Sequence, residues 1–339
     1  MHEFGVFIGR FQPFHNAHLA TVRFALKQAK QLIIVIGSSN QARDIKDPWS
    51  EHDRERMIRS CLTEEEQARI KFVHAEDYYY NDLLWVTAVQ RDIDEITGGS
   101  RDVKLIGRKK DASSFYLKMF PQWGEYLETD VNMPIDAARV RKMLFERDTI
   151  SLNAHNVVPP SVYDILVEWM KTPEYERLHD EYQKVLTDKA AWVGSPYQPI
   201  FVTTNAVVIC SGHVLVVRRR GKYGRGLIAL PGGYVDANQR LIDSCIRELK
   251  EETGIKVERP ELKKLLSDQV VFDHPRRDLR GRVITHAYCF KLPDGELLKV
   301  KGMDDADKAW WMQLNHADTN KSKFFSDHYH ILKRFVNKF

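Results

Sequence analysis

Hydrophobic and polar positions divide the chain into two halves with different patterns. In the first half, short apolar runs alternate with amphipathic helical segments. The predicted strands cover residues 4–8, 32–37, 70–73 and 103–106, and the predicted helices cover residues 19–28, 54–61, 83–96, 138–145 and 161–170. Because strands that alternate with crossover helices run parallel, we predict an α/β domain with a doubly wound parallel sheet over residues 1–170.

The second half begins after a segment that breaks this alternation. Residues 171–199 place Pro and Gly around a polar helical stretch, residues 174–188, and we interpret them as a linker. The pattern beyond predicts strands over residues 202–209, 214–218 and 284–291 and around Trp310-Trp311, with helices over residues 241–253 and 328–335. We therefore predict a mixed sheet packed by helices over residues 200–339.

Composition limits the class of protein and of partner. The 339 residues suffice for two domains, and a net charge of +4 is too small to indicate nucleic-acid binding. The longest apolar run, residues 32–36, is too short to span a bilayer, and the N-terminus lacks the pattern of a signal peptide. The four cysteines show neither C-x-x-C nor zinc-ligand spacing. We expect a cytoplasmic protein that binds neither nucleic acid nor a membrane.

The segment GRFQPFHNAH, residues 9–18, lies between the first predicted strand and the first helix. In a doubly wound sheet this position is at the carboxyl edge, where ligands bind. Gly9 lets a phosphate approach the backbone, and the helix N-terminus favours an anion. His15 and His18, three residues apart, and the planar donor Arg10 complete a predicted phosphate-binding loop.

This segment resembles the H-x-G-H nucleotidyltransferase superfamily, whose pattern is Gly-x-Phe-x-Pro-x-His-x-Gly-His. Ala17 stands where the superfamily has Gly, which we expect to crowd the site by one methyl group. The resemblance implies a Rossmann-like fold in which both histidines hold the ATP phosphates and stabilise the transition state of adenylyl transfer. The positions that match are Gly9, Phe11, Pro13, His15 and His18.

Three further segments resemble the archaeal-like nicotinamide mononucleotide (NMN) adenylyltransferases. They are GSSNQARDIKDPW (37–49), NDLLWV (81–86) and IDAARVR (135–141). The resemblance implies that Trp85 stacks on the nicotinamide ring. An apolar helix Trp is equally consistent with a core position, so both interpretations stay open.

The segment 135–141 departs from its counterpart in this family at two positions. Arg141 matches a phosphate-binding arginine, whereas Asp136 and Ala138 replace hydroxyl residues, so backbone N–H groups would have to serve there. The catalytic residues that the resemblance implies are Arg10, His15, His18 and Arg141, and the implied substrate-binding residues are Gly9, Phe11, Asn81, Trp85, Gly107 and Arg139.

The helix predicted over residues 241–253 carries three carboxylates, Glu248, Glu251 and Glu252. Their i, i+3 and i+4 spacing puts them on one helix face, where they repel one another unless a cation neutralises them. Mg²⁺ prefers carboxylate oxygens together with water and phosphate, so this face is a candidate metal site. A solvated acidic face is the alternative interpretation.

The stretch around this helix, LPGGYVDANQRLIDSCIRELKEETGI (230–255), resembles the Nudix box, Gly-x₅-Glu-x₇-Arg-Glu-x-x-Glu-Glu-x-Gly. Gln239 stands where the family has its first Glu, and Asn238 replaces a frequent Gly, so weakened activity is one expectation. The resemblance implies an α/β/α fold that binds Mg²⁺, or Mn²⁺, through catalytic carboxylates. The matching positions are Gly233, Arg247, Glu248, Glu251, Glu252 and Gly254.

Two downstream segments resemble parts of the ADP-ribose pyrophosphatases in this superfamily. FDHPRRDLRGRVITHAY (272–288) is rich in arginine, which suits a diphosphate. GMDDADKAWW (302–311) resembles a later acidic loop, with a base or further ligand at Asp304, Asp305 or Asp307, although a plain surface loop is the alternative. The implied substrate-binding residues of this half are Gly233, Arg247, Arg276, Arg277, Arg280 and Arg282.

Together the motifs resemble the bifunctional NMN adenylyltransferase/Nudix hydrolase family. The resemblance implies that residues 1–170 make NAD from ATP and NMN, and that residues 200–339 split ADP-ribose into AMP and ribose 5-phosphate. One alternative is a second half that senses ADP-ribose or NAD without hydrolysis and regulates the first. Another is a first half that adenylates a different mononucleotide or a phosphopantetheine. We expect a homo-oligomer.

Overall fold

Two compact units make up the chain, Met1–His179 and Asp180–Phe339. The structure, a computed structural model, describes residues 1–109, 112–131, 133, 135–154, 156–275 and 277–336. Within these ranges, no helix is both long and apolar enough to cross a bilayer.

The first unit contains a parallel sheet of five strands in the order β3-β2-β1-β4-β5. Its elements are β1 (His2–Gly9), α1 (Asn16–Gln28), β2 (Ala29–Ser39), α2 (Glu51–Arg59), α3 (Glu64–Ala68), β3 (Ile70–Glu76), α4 (Asp82–Thr97), β4 (Val103–Gly107), β5 (Leu127–Glu128), α5 (Ala137–Phe145), α6 (Thr149–Ala154) and α7 (Pro160–Trp169), with 3₁₀ turns at Ala112–Lys118 and Pro121–Trp123. The predicted doubly wound sheet is confirmed.

The strand order fixes where a ligand can bind in this unit. From β1 the chain builds the sheet toward β2 and β3 on one side, and β4 then pairs with the other side of β1. The order therefore reverses between β1 and β4, and such switch points at the carboxyl edge are where open α/β sheets bind ligands. The loop from β1 to α1, which carries the predicted phosphate-binding residues, leaves the sheet at this point.

The second unit contains a mixed sheet, as predicted. After α8 (Pro173–Ala190), which crosses the boundary between the units, its elements are β6 (Ile200–Cys210), β7 (His213–Arg219), β8 (Ile228–Ala229), α9 (Leu241–Thr253), α10 (Arg259–Lys264), β9 (Leu266–Phe272), β10 (Arg282–Lys291), β11 (Ala306–Gln313), α11 (Asn315–Thr319) and α12 (His328–Val336), with a 3₁₀ turn at Lys321–Lys323. The strand order is β11-β7-β6-β10-β9, and β8 pairs with β7. Strands β6 and β10 are parallel, and the other pairs are antiparallel.

Alternating residues of β6 supply two hydrophobic cores, one on each face of this sheet. Val207 packs in the cluster that contains Leu332 of α12, whereas Val208 packs in the cluster that contains Leu249 of α9. Successive strand side chains point to opposite faces, so both faces of the sheet are covered. The sheet therefore lies between helices, which is the α/β/α arrangement.

His328, at the start of α12, is expected to make the stability of the second unit depend on pH. Its buried Nδ1 accepts a hydrogen bond from the Leu230 backbone N–H (3.0 Å), and burial lowers its pKa from 6.5 to about 3. Because the unfolded state binds the proton more readily, the contribution of His328 to stability is full above pH 6.5 and falls as the pH drops toward 3. Between pH 7 and 5 the wild type should lose about 2 kcal/mol more than His328→Gln.

Urea unfolding of the second unit at both pH values measures this difference. His328→Gln keeps an acceptor for the Leu230 N–H but does not titrate. His316→Gln, which changes an exposed histidine, is the control and should follow the wild type. Equal pH dependence in His328→Gln and the wild type would contradict the expectation.

Candidate active sites

The loop between β1 and α1 brings His15 and His18 into direct contact. His15 is the N-cap residue of α1, with extended backbone (φ −142°, ψ 173°), and His18 lies in the first turn. Their rings stack with centroids 3.5 Å apart and an interplanar angle of 17°. His18 also stacks on Phe14 at 5.6 Å. The two imidazoles are therefore held as one unit at the positive end of the helix dipole.

Phe11 packs against His18, and Gly9 leaves the space that the Phe11 ring occupies. A Cβ at Gly9 would lie 2.7 Å from the Phe11 ring, so only glycine fits where β1 ends. Phe11 adopts φ 53° and is 1% exposed, and its ring meets His18 edge-on at 4.9 Å. Phe11, which the resemblance assigned to substrate binding, is thus placed as packing beneath His18.

The fully buried Arg54 holds the carboxyl edge of the sheet together, and the sequence analysis did not identify it. Its Nη1 donates to the carbonyl oxygens of Arg10 (2.7 Å) and Gly37 (2.5 Å). Its Nη2 donates to Ser38 O (3.0 Å), and its Nε donates to Ser50 O (3.1 Å). Burial lowers the pKa of Arg54 to about 10, so it stays charged at neutral pH.

Two further arginines concentrate positive charge at this edge. Arg141, on α5, donates through Nη1 to the Gln12 carbonyl (2.5 Å), which lies in the same loop as the histidines. Burial lowers the pKa of Arg141, Arg10 adds to the lowering, and Asp47 opposes it. Arg10 itself is exposed. Like charges at one edge are relieved by an anion, which is what a nucleotide phosphate provides.

The start of α5 shows how this chain replaces the hydroxyl residues of the related pattern. Asp136 is the N-cap residue, and its Oδ1 accepts from the Ala138 backbone N–H at 2.9 Å. A serine or threonine hydroxyl performs the same capping role in other helices. Arg139, in the first turn, is exposed.

Trp85 lies on α4, packed against the core of the first unit. It is half-buried and meets Phe120 edge-on at 5.8 Å and Tyr116 at 6.4 Å. Asn81 caps α4, since its Oδ1 accepts from the Leu84 N–H (3.1 Å). The half-buried ring leaves part of the indole accessible, so both interpretations of Trp85 remain compatible with its position.

Gly107 ends β4, on the other side of the switch point. A Cβ there would lie 2.7 Å from the Leu117 side chain, so a larger residue would displace the 3₁₀ turn that covers the strand end. The close approach of backbone and core explains why glycine is suited to this position.

A cavity of about 300 Å³ opens in the second unit beside the turn that precedes α9. Gly232 adopts φ 156°, and a Cβ there would lie 2.0 Å from the Thr204 carbonyl. A Cβ at Gly233 would lie 2.6 Å from the Glu248 carboxylate. Gly232 is therefore needed to bring the turn against β6, whereas a side chain at Gly233 would require the Glu248 carboxylate to move.

The carboxylates of α9 line this cavity, and burial acts most strongly on Glu252. Burial raises the pKa of Glu252 to about 8, although the Gly232 N–H donates to its Oε2 (2.9 Å). Burial also raises the pKa of Glu248, and the neighbouring Arg247 opposes that rise. Glu251 is more exposed, with 44% of its side chain accessible. A nearby cation would restore the charged form of the buried pair.

Arg247 orients two of these carboxylates. Its Nη2 donates to Glu248 Oε1 (2.9 Å), and its Nη1 donates to Glu251 Oε2 (2.6 Å). Its Nε donates to the amide oxygen of Gln239 (3.2 Å), which also accepts from Ser244 Oγ (2.9 Å). Gln239 therefore supplies the oxygen that a Glu would present to Arg247, without its charge.

The arginine-rich segment is divided between packing and cavity lining. The buried Arg277 forms a bidentate pair with Asp327 (2.8 and 2.7 Å), a partner that local sequence could not indicate. Arg280 pairs with Asp278 (2.6 Å) and lies over the Tyr223 ring at 4.7 Å. Arg277 and Arg280 both line the cavity.

Arg282, another predicted residue of this segment, is not among the residues that line the cavity. Arg282, at the start of β10, donates through Nη1 to the Asp273 carbonyl. Arg276 lies outside the described residues.

The acidic loop before β11 contributes two residues to the cavity. Asp304 and Asp305 line it, whereas Asp307 pairs with Arg218 at 2.6 Å. The charge of Asp304 raises the pKa of Glu248, and that of Asp305 raises the pKa of Glu252. Both aspartates are thus close enough to act on the same ligand as the helix carboxylates.

The carboxylates that line this cavity suit a hard divalent cation, which prefers oxygen ligands. Across the described residues, the three glutamates do not form a group whose ligand atoms all lie within 4.8 Å. Glu248 and Glu252 are more buried than Glu251 and act on each other's charge, so they are the residues best placed to hold the ion. Glu251 would join them after it leaves Arg247.

Both units match known protein families. Residues 6–119 match the cytidylyltransferase-like family, and residues 201–335 match the NUDIX domain. The chain is 36% identical over 181 residues to a nicotinamide/nicotinic acid mononucleotide adenylyltransferase of Acinetobacter baylyi, covering 53% of this chain and 94% of that protein. It is 33% identical over 135 residues to an ADP-ribose pyrophosphatase of Methanocaldococcus jannaschii, covering 40% of this chain and 72% of that protein.

A solved structure matches both units at once. The crystal structure of a bifunctional NMN adenylyltransferase/ADP ribose pyrophosphatase from Francisella tularensis, complexed with AMP and a Mn ion, superposes with a TM-score of 0.91 and 30% identity, covering 100% of this chain and 99% of that one. The chain belongs to this bifunctional family. The resemblance inferred from the motifs is therefore confirmed, and the Francisella tularensis structure contains a divalent metal ion.

Gly233→Ala should weaken binding of a divalent ion in the NUDIX unit of this bifunctional enzyme. The added Cβ would lie 2.6 Å from the Glu248 carboxylate and push it from its position. Changes to groups that orient a metal ligand typically cost about 10–100-fold in metal affinity, and we expect a loss of this size here. Titration with Mn²⁺, followed by electron paramagnetic resonance, measures the change.

Gly221→Ala is the matched control, because Gly221 also lines the cavity but a Cβ there meets no atom within 4 Å. Its Mn²⁺ affinity should equal that of the wild type. Unchanged affinity in Gly233→Ala would show that the Glu248 position does not govern the metal.

Proposed function

We propose that the chain carries two activities of NAD metabolism. The first unit transfers the adenylyl group of ATP to NMN and releases NAD and pyrophosphate. The second unit hydrolyses ADP-ribose to AMP and ribose 5-phosphate with Mg²⁺. The observation that carries the proposal is the match over 100% of this chain, and so over both units, to the bifunctional NMN adenylyltransferase/ADP ribose pyrophosphatase of Francisella tularensis. We assign the first activity to residues 1–170 and the second to residues 200–339, with 171–199 as the linker.

Adenylyl transfer needs positioning and positive charge rather than a side-chain nucleophile. A phosphate oxygen of NMN attacks the α-phosphorus of ATP, the bond to the β-phosphate oxygen breaks, and pyrophosphate leaves. The stacked His15 and His18, at the N-terminus of α1, would donate hydrogen bonds to the phosphate oxygens as charge shifts to the leaving group. Arg10 and Arg141 would neutralise the triphosphate from the same edge.

Hydrolysis needs a water, a base and charge neutralisation of the diphosphate. Water attacks one phosphorus of ADP-ribose, the phosphoanhydride bond breaks, and AMP and ribose 5-phosphate separate. Glu248 and Glu252 would hold Mg²⁺, which when bound supplies positive charge to the diphosphate and the water. Glu251, Asp304 and Asp305 are the carboxylates that could take the proton, because each lines the cavity. Arg280 would bind the diphosphate.

The alternative of a sensing module is weakened by the contacts of Gln239. The sensing module is an alternative because Gln239 lacks the charge of the first Glu in the Nudix box, and losing that charge could disable the metal site. The Gln239 amide oxygen nevertheless accepts a hydrogen bond from Arg247 Nε (3.2 Å), which keeps Arg247 beside Glu248. This orienting role requires an oxygen and not a charge, so it supports a working hydrolase.

Two single substitutions should separate the activities. His18→Ala should lower NAD synthesis about 10²–10³-fold and leave ADP-ribose cleavage intact, because it removes a donor to developing charge. Glu252→Gln should abolish ADP-ribose cleavage and leave NAD synthesis intact, because it removes a charged oxygen ligand. Product analysis with ATP, NMN and Mg²⁺, and separately with ADP-ribose and Mg²⁺, measures both rates.

Controls and contrary outcomes are distinct for the two units. His2→Ala, at the opposite end of β1, and Glu261→Gln, on the exposed side of α10, should keep both rates. NAD synthesis at the native rate in His18→Ala would sink the first assignment. Native protein that binds ADP-ribose by calorimetry but releases no AMP would support the sensing module instead.

Trp85 provides a test of the acceptor. If the indole stacks on nicotinamide, Trp85→Ala should raise the KM for NMN far more than the KM for ATP. Trp85→Phe should recover most of the loss, since a flat ring remains. Steady-state kinetics with each substrate varied, together with thermal unfolding, checks this. Equal losses in stability and in both KM values would identify a core tryptophan.

A further inference from the structure

A cluster of two histidines and a glutamate lies on the first unit, outside the groups discussed above. His52 and Glu55 are three residues apart on α2, so they share one helix face. His74 lies on the edge strand β3, opposite Ile36 of β2. Within the part of the chain that the structure describes, these three form the one group whose ligand atoms all lie within 4.8 Å of one another. We propose that His52, Glu55 and His74 bind Zn²⁺ or a chemically similar divalent transition-metal ion.

The geometry is close to that of an occupied site. His74 Nε2 lies 2.9 Å from Glu55 Oε2, and the His52 and His74 rings are perpendicular with centroids 5.1 Å apart. Ligand atoms around a tetrahedral zinc lie about 3.4 Å apart, given bonds of about 2.1 Å. Because His52 is exposed, its ring can move toward the other two ligands without repacking the core.

The carboxylate of the cluster is already oriented by a neighbouring side chain. Arg59 donates to Glu55 Oε1 through Nε (2.8 Å) and Nη2 (2.7 Å), which leaves Oε2 directed at His74. Arg59 is itself fixed, since its guanidinium lies 4.5 Å above the Phe72 ring. Metal-binding carboxylates typically have such a hydrogen-bonded partner, which restricts their rotation.

The donor set determines which ions fit. Two imidazole nitrogens and one carboxylate oxygen favour Zn²⁺, Co²⁺ or Ni²⁺ over Mg²⁺, which prefers oxygen ligands only. The site therefore differs in chemistry from the all-carboxylate site of the second unit, and excess Mg²⁺ should not compete for it. With 30% of His74 and 21% of Glu55 exposed, water can reach the open coordination positions.

A bound ion would link α2 to the edge of the sheet. Side-chain contacts between α2 and β3 already include the Glu55–His74 pair, the edge-on contact of the His52 and His74 rings and the stack of Arg59 on Phe72. A metal bond adds a stronger tie between the same elements, so the ion should stabilise the first unit against unfolding. Helix α2 also carries Arg54, so this tie would stiffen the carboxyl edge of the sheet.

Equilibrium dialysis of the full chain against Zn²⁺ in excess Mg²⁺ tests the proposal. The wild type should hold about one more Zn²⁺ per chain than either His52→Ala or His74→Gln, and the affinity of each variant should fall more than about ten-fold. Co²⁺ should give the visible absorption of an imidazole-bound ion in the wild type, and this absorption should be lost in both variants. Zn²⁺ should raise the unfolding temperature of the wild type alone.

The variants separate metal binding from structural damage. His74→Gln keeps a hydrogen-bond donor toward Glu55, and His52→Ala changes an exposed side chain. Both should unfold like the wild type when no Zn²⁺ is present. His316→Ala, an exposed histidine elsewhere, should keep the full Zn²⁺ stoichiometry. Equal Zn²⁺ binding by the wild type, His52→Ala and His74→Gln would overturn the proposal, whatever the two catalytic activities show.

Discussion

The buried guanidinium of Arg54 satisfies four backbone carbonyls at the carboxyl edge of the first sheet. Its acceptors lie just beyond β1, at the end of β2 and just before α2, so one side chain fixes three segments relative to one another. A buried carbonyl without a donor costs about 1–3 kcal/mol, and a guanidinium has enough N–H donors to serve all four from a single residue. The loop that carries the stacked histidines begins at Arg10, and the hydrogen bond from Arg54 to the Arg10 carbonyl fixes the start of this loop.

In the second unit, a close approach of the backbone to β6 and α9 positions the residues of the cavity. Gly232 and Gly233 carry the chain past β6 and against α9, where any side chain would collide with a carbonyl or a carboxylate. The turn then donates its own N–H to Glu252. The carboxylates of α9 are thus contacted from two directions, by this turn and by Arg247. Gln239 lacks the charge of a Glu, but its amide oxygen still accepts a hydrogen bond from Arg247 Nε.

Features that depend on the residues of a single helix or strand could be predicted from the sequence. The apolar run of β2 and the spacing of Glu248 and Glu252 are readable within one element, and both were predicted. Arg54, Asp327 and His328 were not, because each acts through partners far along the chain, and no local pattern marks a charged residue as buried. Short polar elements were missed for a different reason. Helix α3 contains no buried residue, and β9 is an edge strand with alternating exposure, so neither shows a strong hydrophobic pattern.

The parallel pairing of β6 with β10 has a consequence for the order in which the chain acquires its structure. Strand β6 aligns residue by residue with β10, from Ile200 beside Arg282 to Ile209 beside Lys291. Five elements, β7, β8, α9, α10 and β9, lie between them in the chain. The contact between β6 and β10 therefore joins residues far apart in the chain. Contacts of this kind are slow to form, because a long loop must close first. In the first unit, β1 meets β2 after a single helix. During synthesis by the ribosome, the first sheet can start to assemble early. The edge of β6 that pairs with β10 stays without its full partner strand until Lys291 has emerged.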